Sequence, residues 1–343
     1  MRRLLCLACA LTALLVLSCR QPAGTLHPRE RYAVWFELGE DALVSFSPYD
    51  GHADTLRLDA PLRRLVCMSS SYVGFLDALG CDSLVVGVSG IGYLSSPQIQ
   101  KRYAAGEVFD VGYDAAPDYE RILALHPDLV VAYSVSAAPS PFLTRLQELG
   151  IPVLQVYEHL ENHPLARAEY LRLFGALAGC RDRADSLFDV ICAAYDSLCV
   201  APQEKPVRVL LNVPYADQWF IPGGENYMAR LIRDAGGQVL GAQPGAVSSR
   251  VISLEEAWRL AGHADLWLNP GGFSSRGQLY SALPAFAPLD IPTIYNNTRR
   301  MTSAGGNDFW ESGPVRPDLV LKDLRQILAS DIRDSLYYYL PVR

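Results

Sequence analysis

The stretch PLARAEYLRLFGALAGCRDRADSLFDVICAAYDSLC, residues 164–199, decides the fold. Its apolar residues recur at helical spacing: Leu171, Phe174, Leu177 and Ala178 in one run, and Leu187, Phe188, Ile191, Cys192, Tyr195 and Leu198 in another. Pro164 suits a first helical position, and Pro202 closes the stretch because proline cannot continue a helix. Gly179 followed by Arg181-Asp182 marks a break, giving a first-lobe helix and then a strut over residues 182–199. At 1.5 Å per residue the strut would span about 27 Å. Short apolar strands alternate with helices on both sides of it, so the connecting helices (164–200) join two lobes.

In the first lobe, residues 62–163, a buried strand at 64–68 leads through Ser69-Ser70-Ser71 into a helix that Gly80 stops. Strands follow at 84–88, 111–113, 129–133 and 153–156, with helices at 119–125 and 141–149. The second lobe, residues 201–343, repeats the pattern, with strands at 207–212, 266–268 and 293–295 and helices at 225–235, 254–260, 277–283 and 317–328. The expected class is α/β: two Rossmann-like lobes with mostly parallel sheets joined by a long α-helix. Residues 31–61 add a small antiparallel β element, with runs at 33–36, 43–46 and 55–58 separated by turn residues.

A length of 343 residues suits about two domains. The net charge of −7 leaves no basic stripe to neutralise phosphates, which excludes a nucleic-acid surface. At the start, Arg2-Arg3 precedes an apolar run over 4–17 and the small-residue end Ser18-Cys19. This resembles a bacterial lipoprotein signal, which implies removal of residues 1–18, lipid on Cys19, a tether over 19–30 and a membrane-anchored place in the periplasm. A plain secretory signal is the alternative. The run falls short of the about 20 residues a membrane span needs. Five cysteines follow Cys19, an odd number that implies no complete disulfide framework, although export permits bridges. Cys192 and Cys199, two turns apart on one helix, read as small apolar residues.

Residues 117–123 (PDYERIL) and 252–258 (ISLEEAW) both open a helix that feeds a strand beginning at an aspartate, Asp128 or Asp265. With Asp118 and Ser253 as N-caps, Glu120 and Glu255 hold the same position in each lobe. An acidic residue there gains about 0.3–1 kcal/mol from the helix dipole, and Ser253 with Glu256 forms a capping box. Structure alone accounts for all three glutamates.

The sequence nevertheless resembles the substrate-binding proteins of iron-complex and cobalamin ABC importers, the two-lobed class with a rigid interlobe helix. The likeness covers residues 62–331. It is carried by residues 64–69 (RLVCMS), 78–80 (ALG) with 86–89 (VGVS), 120–130 (ERILALHPDLV), 307–311 (NDFWE) and 316–324 (RPDLVLKDL). The resemblance implies a binding protein without catalytic residues or a cofactor of its own. Its ligand would be an iron–siderophore chelate, haem or a corrinoid, and the chain is expected to be a monomer. It also implies that Glu120 and Glu255 pair with arginines of the permease.

The ligand is expected between the lobes, beyond the carboxyl ends of the strands. Candidate contacts are Ser69, Ser70, Tyr93, Tyr113 and Tyr133 from the first lobe, and Tyr215, Trp219, Phe220, Phe273, Asn297, Arg299 and Trp310 from the second. Aromatic walls suit a bulky chelate and an arginine suits its carboxylates. Two other readings stand beside this one. A bare-metal (zinc or manganese) transport protein would use His159 and His163, but Pro164 keeps them from sharing a helix face. A secreted hydrolase or chelatase would need a triad or acid–base pair, and no such spacing occurs.

Overall fold

Leu65–Cys67, Val85–Val88 and Leu129–Ala132 are buried along their whole length. Strands covered on both faces must be, which is why none of them alternates. In the computed structural model, which describes residues 31–343 apart from residue 139, they lie in one five-stranded sheet. Its order is Val153–Gln155, Leu129–Ala132, Leu65–Cys67, Val85–Val88, Phe109–Asp110, and every pairing is parallel. A second five-stranded sheet runs Gly237–Val239, Val207–Leu211, Leu266–Leu268, Thr293–Asn296, Leu340–Pro341, parallel except for its last strand. In each, the chain enters near the middle, builds to one side and then crosses to the other. That switch leaves a crevice at the carboxyl ends of the strands. Phe36–Leu38, Ala42–Phe46 and Ala53–Arg57 form a separate three-stranded antiparallel sheet. The fold is the expected pair of α/β lobes with a small β addition, while the signal, Cys19 and the tether lie outside the described residues.

The lobes reuse one local device. Asp128 accepts the backbone N–H groups of Arg63 and Arg64 at 2.7 and 2.9 Å, and Asp265 accepts that of Arg208 at 2.8 Å. Each aspartate thereby pins the first strand of its lobe to the strand it opens. Arg208 closes a further pair with Asp265 at 2.7 Å, which holds that carboxyl below its ordinary range.

Between the lobes, residues 164–199 form three helices, Pro164–Ala168, Tyr170–Leu177 and Arg181–Leu198. The second break is at Gly179, whose φ of 68° favours glycine and where a Cβ would meet the Pro61 ring at 2.6 Å. The break at Glu169, which the sequence does not announce, is a local tightening: its backbone stays helical (φ −62°, ψ −17°) and its carbonyl accepts the Arg172 N–H at 2.9 Å. The Glu169 side chain is taken up by the N–H groups of Tyr32 and Ala33, both at 2.8 Å, and by Arg172. Neighbouring Glu161 accepts those of Val34 and Trp35 at 2.9 and 3.2 Å. The run at 33–36 therefore becomes a strand only from Phe36, because its earlier N–H groups go to buried carboxylates rather than to a ladder.

Arg181–Leu198 buries Ala184, Phe188, Ile191 and Tyr195 between the helix Tyr170–Leu177 and the C-terminal helix Pro317–Leu328. Near its start, Arg181 donates to the Gly39 and Glu40 carbonyls, and Arg183 to that of Leu79. Near its end, the Tyr195 hydroxyl donates to Asp234 at 2.6 Å and Arg325 to the Leu198 carbonyl at 3.2 Å. One end is fastened to the first lobe and the other to the second.

Candidate functional site

The second-lobe strands end alike. Val207–Leu211 runs into Asn212, Leu266–Leu268 into Asn269, and Thr293–Asn296 into Asn297. Asn212 and Asn269 turn the chain out of the sheet in left-handed conformations, φ 68° and 56°, which asparagine adopts more readily than most residues. Their N–H groups still donate across the sheet to the Leu268 and Tyr295 carbonyls, both at 2.9 Å, so the turns are rigid. Asn296 spends its amide N–H groups on the Gly271 and Phe273 carbonyls. Asn297, only 6% exposed, holds its Nδ2 buried without a partner. A buried amide left unpaired costs free energy unless something else satisfies it.

These asparagines line one wall of a cavity of about 390 Å³. Ser70 and Tyr93 of the first lobe line it too, with Thr298, Met301, Asn307, Trp310 and the paired glycines 271–272 and 305–306. Among the described residues, the cavity lining includes no Asp, Glu, Lys, Arg or His. Tyr93 and Trp310 are 55% and 53% exposed, leaving their rings free to meet a ligand.

Under the cavity the two halves of the chain interlock. A Cβ on Gly306 would lie 2.1 Å from the Tyr93 carbonyl oxygen, and one on Gly74 would lie 2.3 Å from that of Glu311. The Glu311 carboxylate accepts the N–H groups of Ser95 and Ser96 at 2.6 and 2.9 Å. Burial pushes the Glu311 and Glu161 carboxyls up to about 7. With the folded value above the unfolded one, the native state keeps protons that the unfolded chain releases. Stability is then full below the ordinary carboxyl range and is lost as pH rises through 7. Lowering the pH from 8 to 5.5 should therefore add stability equivalent to about 4 kcal/mol from the two carboxyls together, which raises the thermal midpoint. Scanning calorimetry of the wild type and Glu311→Gln checks this, the variant having a flatter profile. The buried His163 and His159 imidazoles, lowered by burial, act oppositely in this window, so the difference between the wild type and Glu311→Gln isolates the carboxyl's share.

Of the twelve candidate contacts, Ser70, Tyr93, Asn297 and Trp310 line this cavity. The Tyr113 ring stands beside that of Tyr93, centroids 6.4 Å apart. Ser69 bonds the Ser71 hydroxyl at 2.9 Å, and Tyr133 packs edge-on to His159. Tyr215 and Phe220 are exposed, Phe273 is half-buried, and Arg299 is an exposed residue whose N–H donates to the Tyr338 carbonyl. Trp219 must be withdrawn. It is fully buried, donates to the Leu211 carbonyl at 3.0 Å and packs on Trp267 and Phe286 in the second-lobe core.

The histidines are likewise separated. His163 caps the helix Pro164–Ala168 through Nδ1, accepting the Leu165 N–H at 3.0 Å, and burial pushes it down to about 4. His159, also lowered by burial, faces Tyr133 instead. Among the described residues no group of three or more His, Cys, Asp and Glu side chains converges as a metal site would.

Glu120 and Glu255 are both exposed second residues, in the helices Tyr119–Ala124 and Leu254–Ala261. Asp118 accepts the Arg121 N–H at 2.9 Å and Ser253 that of Glu256 at 3.1 Å, so the caps are as expected. The capping box is only half made, because the Glu256 carboxylate pairs with Arg250 at 3.0 Å. Neither Glu120 nor Glu255 has a side-chain ion pair among the described residues.

Residues 65–278 match the family described as periplasmic binding protein. The chain belongs to that family. An uncharacterized lipoprotein, MJ0878, of Methanocaldococcus jannaschii is 25% identical over 283 residues, which is 79% of this chain and 66% of that one. A second, uncharacterized protein MJ0642 of the same organism is 17% identical over 64% of its length. The chain thus spans just under two thirds of the curated relatives it matches. Among solved structures, a periplasmic heme-binding protein from Pseudomonas aeruginosa superposes with a TM-score of 0.59 at 20% identity, covering 82% of this chain and 98% of that one. The vitamin B12-binding protein BtuF of Vibrio cholerae gives 0.52 at 14%, covering 80% and 99%. At such identities the likeness is one of fold. No helix among the described residues of this periplasmic binding protein is long and apolar enough to cross a membrane.

Reading for aromatic and cationic residues missed most of the polar wall. The signal was in the sequence: Leu211-Asn212, Leu268-Asn269 and Tyr295-Asn296-Asn297 each close an apolar strand with asparagine at the crevice.

Proposed function

We propose that the chain captures a metal chelate in the interlobe cavity, an iron–siderophore complex, haem or a corrinoid, and delivers it to an ABC permease that docks on Glu120 and Glu255. It does so as a binding protein rather than an enzyme, held to the membrane through lipid on Cys19. The observation that carries this reading is the cavity itself, which lies at the carboxyl ends of the second sheet, is faced by an aromatic pair and holds the unsatisfied Asn297 amide. A lining without charge favours a chelate whose metal is already enclosed and whose periphery offers hydrogen-bonding groups, the amides of a corrinoid above the carboxylates of haem.

Titrating the lipid-free domain with cobalamin, haem and ferric siderophores, followed by absorbance and tryptophan quenching, tests it. Saturable binding of one of them is expected. Binding of none, with tight zinc or manganese binding instead, would overturn the reading. Asn297→Ala should weaken the bound chelate about tenfold, the loss of one hydrogen bond to a buried amide, without moving the thermal midpoint of the free protein downward. Isothermal titration and a melting curve of the same preparation check both halves.

A further inference from the structure

Cys81 and Cys180 are 99 residues apart in sequence, yet their sulfurs lie 3.6 Å apart. Each follows a left-handed glycine that ends a helix, Gly80 (φ 62°) after Ser70–Ala78 and Gly179 (φ 68°) after Tyr170–Leu177. Each backbone is also pinned to its helix, Cys81 N–H to the Leu76 carbonyl and Cys180 N–H to that of Gly175, both at 2.8 Å. The two thiols are thus presented to one another from fixed turns. Cys180 is the residue preceding Arg181–Leu198, and it lines an open hollow of about 510 Å³ whose walls include Arg181 and Arg183. A dissolved oxidant reaches its sulfur there; burial and the Cys81 contact push the Cys180 thiol up to about 11, and the Arg183 guanidinium offsets part of that rise, so mildly alkaline pH speeds the attack.

We propose that Cys81 and Cys180 form a disulfide once the chain is in an oxidising compartment, clamping the start of the interlobe helix to the first lobe. The oxidant is a disulfide, either a small molecule or a protein carrier. One thiolate attacks a sulfur of the oxidant, giving a mixed disulfide and releasing its first thiol. The second thiolate then displaces the other. Two S–H bonds break and one S–S bond forms, while the oxidant's S–S bond is reduced to two thiols that take up both protons. Going from 3.6 Å to the about 2.05 Å of a disulfide requires the two sulfurs to approach by about 1.5 Å. This goes beyond the ligand reading and does not depend on it.

Purified chain incubated with oxidised glutathione, then alkylated and mapped without reduction, gives the test. A cross-linked peptide pair containing Cys81 and Cys180 is expected, with Cys192 and Cys199 alkylated on unfolding. Reduction by a phosphine should lower the thermal midpoint of that material by several degrees, as for a cross-link closing a long loop. The double variant Cys81→Ser, Cys180→Ser should show no response to the phosphine. Alkylation of both cysteines after the oxidising incubation, or a cross-link of either one to a different cysteine, overturns the proposal. A cross-link whose reduction leaves the midpoint unmoved overturns the clamp.

Discussion

A variant carrying alanine at both Glu120 and Glu255 should bind its chelate in solution as tightly as the wild type and support no uptake above background. Both carboxylates are exposed at helix starts, and neither is committed to an ion pair within the described residues. Their removal leaves the caps made by Asp118 and Ser253 intact, so folding is spared. The cavity is lined by neither residue, so affinity is spared too. The loss would be two charge-assisted pairs with permease arginines, which fix orientation on a two-fold partner more than they add affinity. Each single variant should retain part of the uptake, since one pair still orients one lobe. Glu256→Ala serves as the contrast, because its carboxylate is engaged with Arg250 and its loss should touch stability rather than transport. Uptake by cells expressing the cognate permease, measured beside calorimetric binding, reads both quantities. Undiminished uptake by the double variant would refute docking through these residues.

How far this was legible in advance depended on whether a signal was local. Fully apolar strands such as residues 129–132 and the helical period of residues 181–198 are local patterns, and both appear as read. The helix Pro97–Ala104 carries no such pattern, because its burial rests on Ile99 alone and leaves no apolar stripe. Its start was nonetheless written in Ser96-Pro97, where Ser96 accepts the Ile99 N–H. The burial of Trp219 is not legible in the sequence, because an aromatic after a turn looks the same whether its ring faces a cleft or a core. Only the antiparallel pairing of Trp219–Ile221 with Arg250–Ile252 sends it inward. The anchoring of residues 32–35 by Glu161 and Glu169 was invisible for another reason: it joins positions more than a hundred residues apart. The same holds for the meeting of residues 305–311 with the first lobe.

That meeting sets the last expectation. Gly306→Ala adds a single methyl group, which on most glycines would stabilise by about 0.4–1 kcal/mol through the unfolded chain. Here the methyl would sit 2.1 Å from the Tyr93 carbonyl oxygen and 2.5 Å from its carbon, so backbone must move. The segment cannot shift alone. The Thr302 N–H donates to the Gly306 carbonyl at 2.7 Å, the Gly306 N–H returns to the Thr302 hydroxyl at 2.9 Å, and Asn307 caps the short helix that carries Trp310 and Glu311. Any displacement therefore moves Trp310 relative to Tyr93 and loosens the Glu311 bonds to Ser95 and Ser96. The expected result is a loss of about 2–4 kcal/mol of stability, in the range of a steric insertion into a packed site, and at least about a tenfold loss of chelate affinity. Gly92→Ala places the same methyl one residue from Tyr93, where nothing lies within 4 Å, and should leave both quantities unchanged. Melting curves and ligand titrations of the pair separate a rigid junction from a yielding one. If Gly306→Ala melts and binds as the wild type does, the lobes are not held by this contact, and the rigidity of the cleft must come from the Glu311 bonds to Ser95 and Ser96 and from the helix Arg181–Leu198.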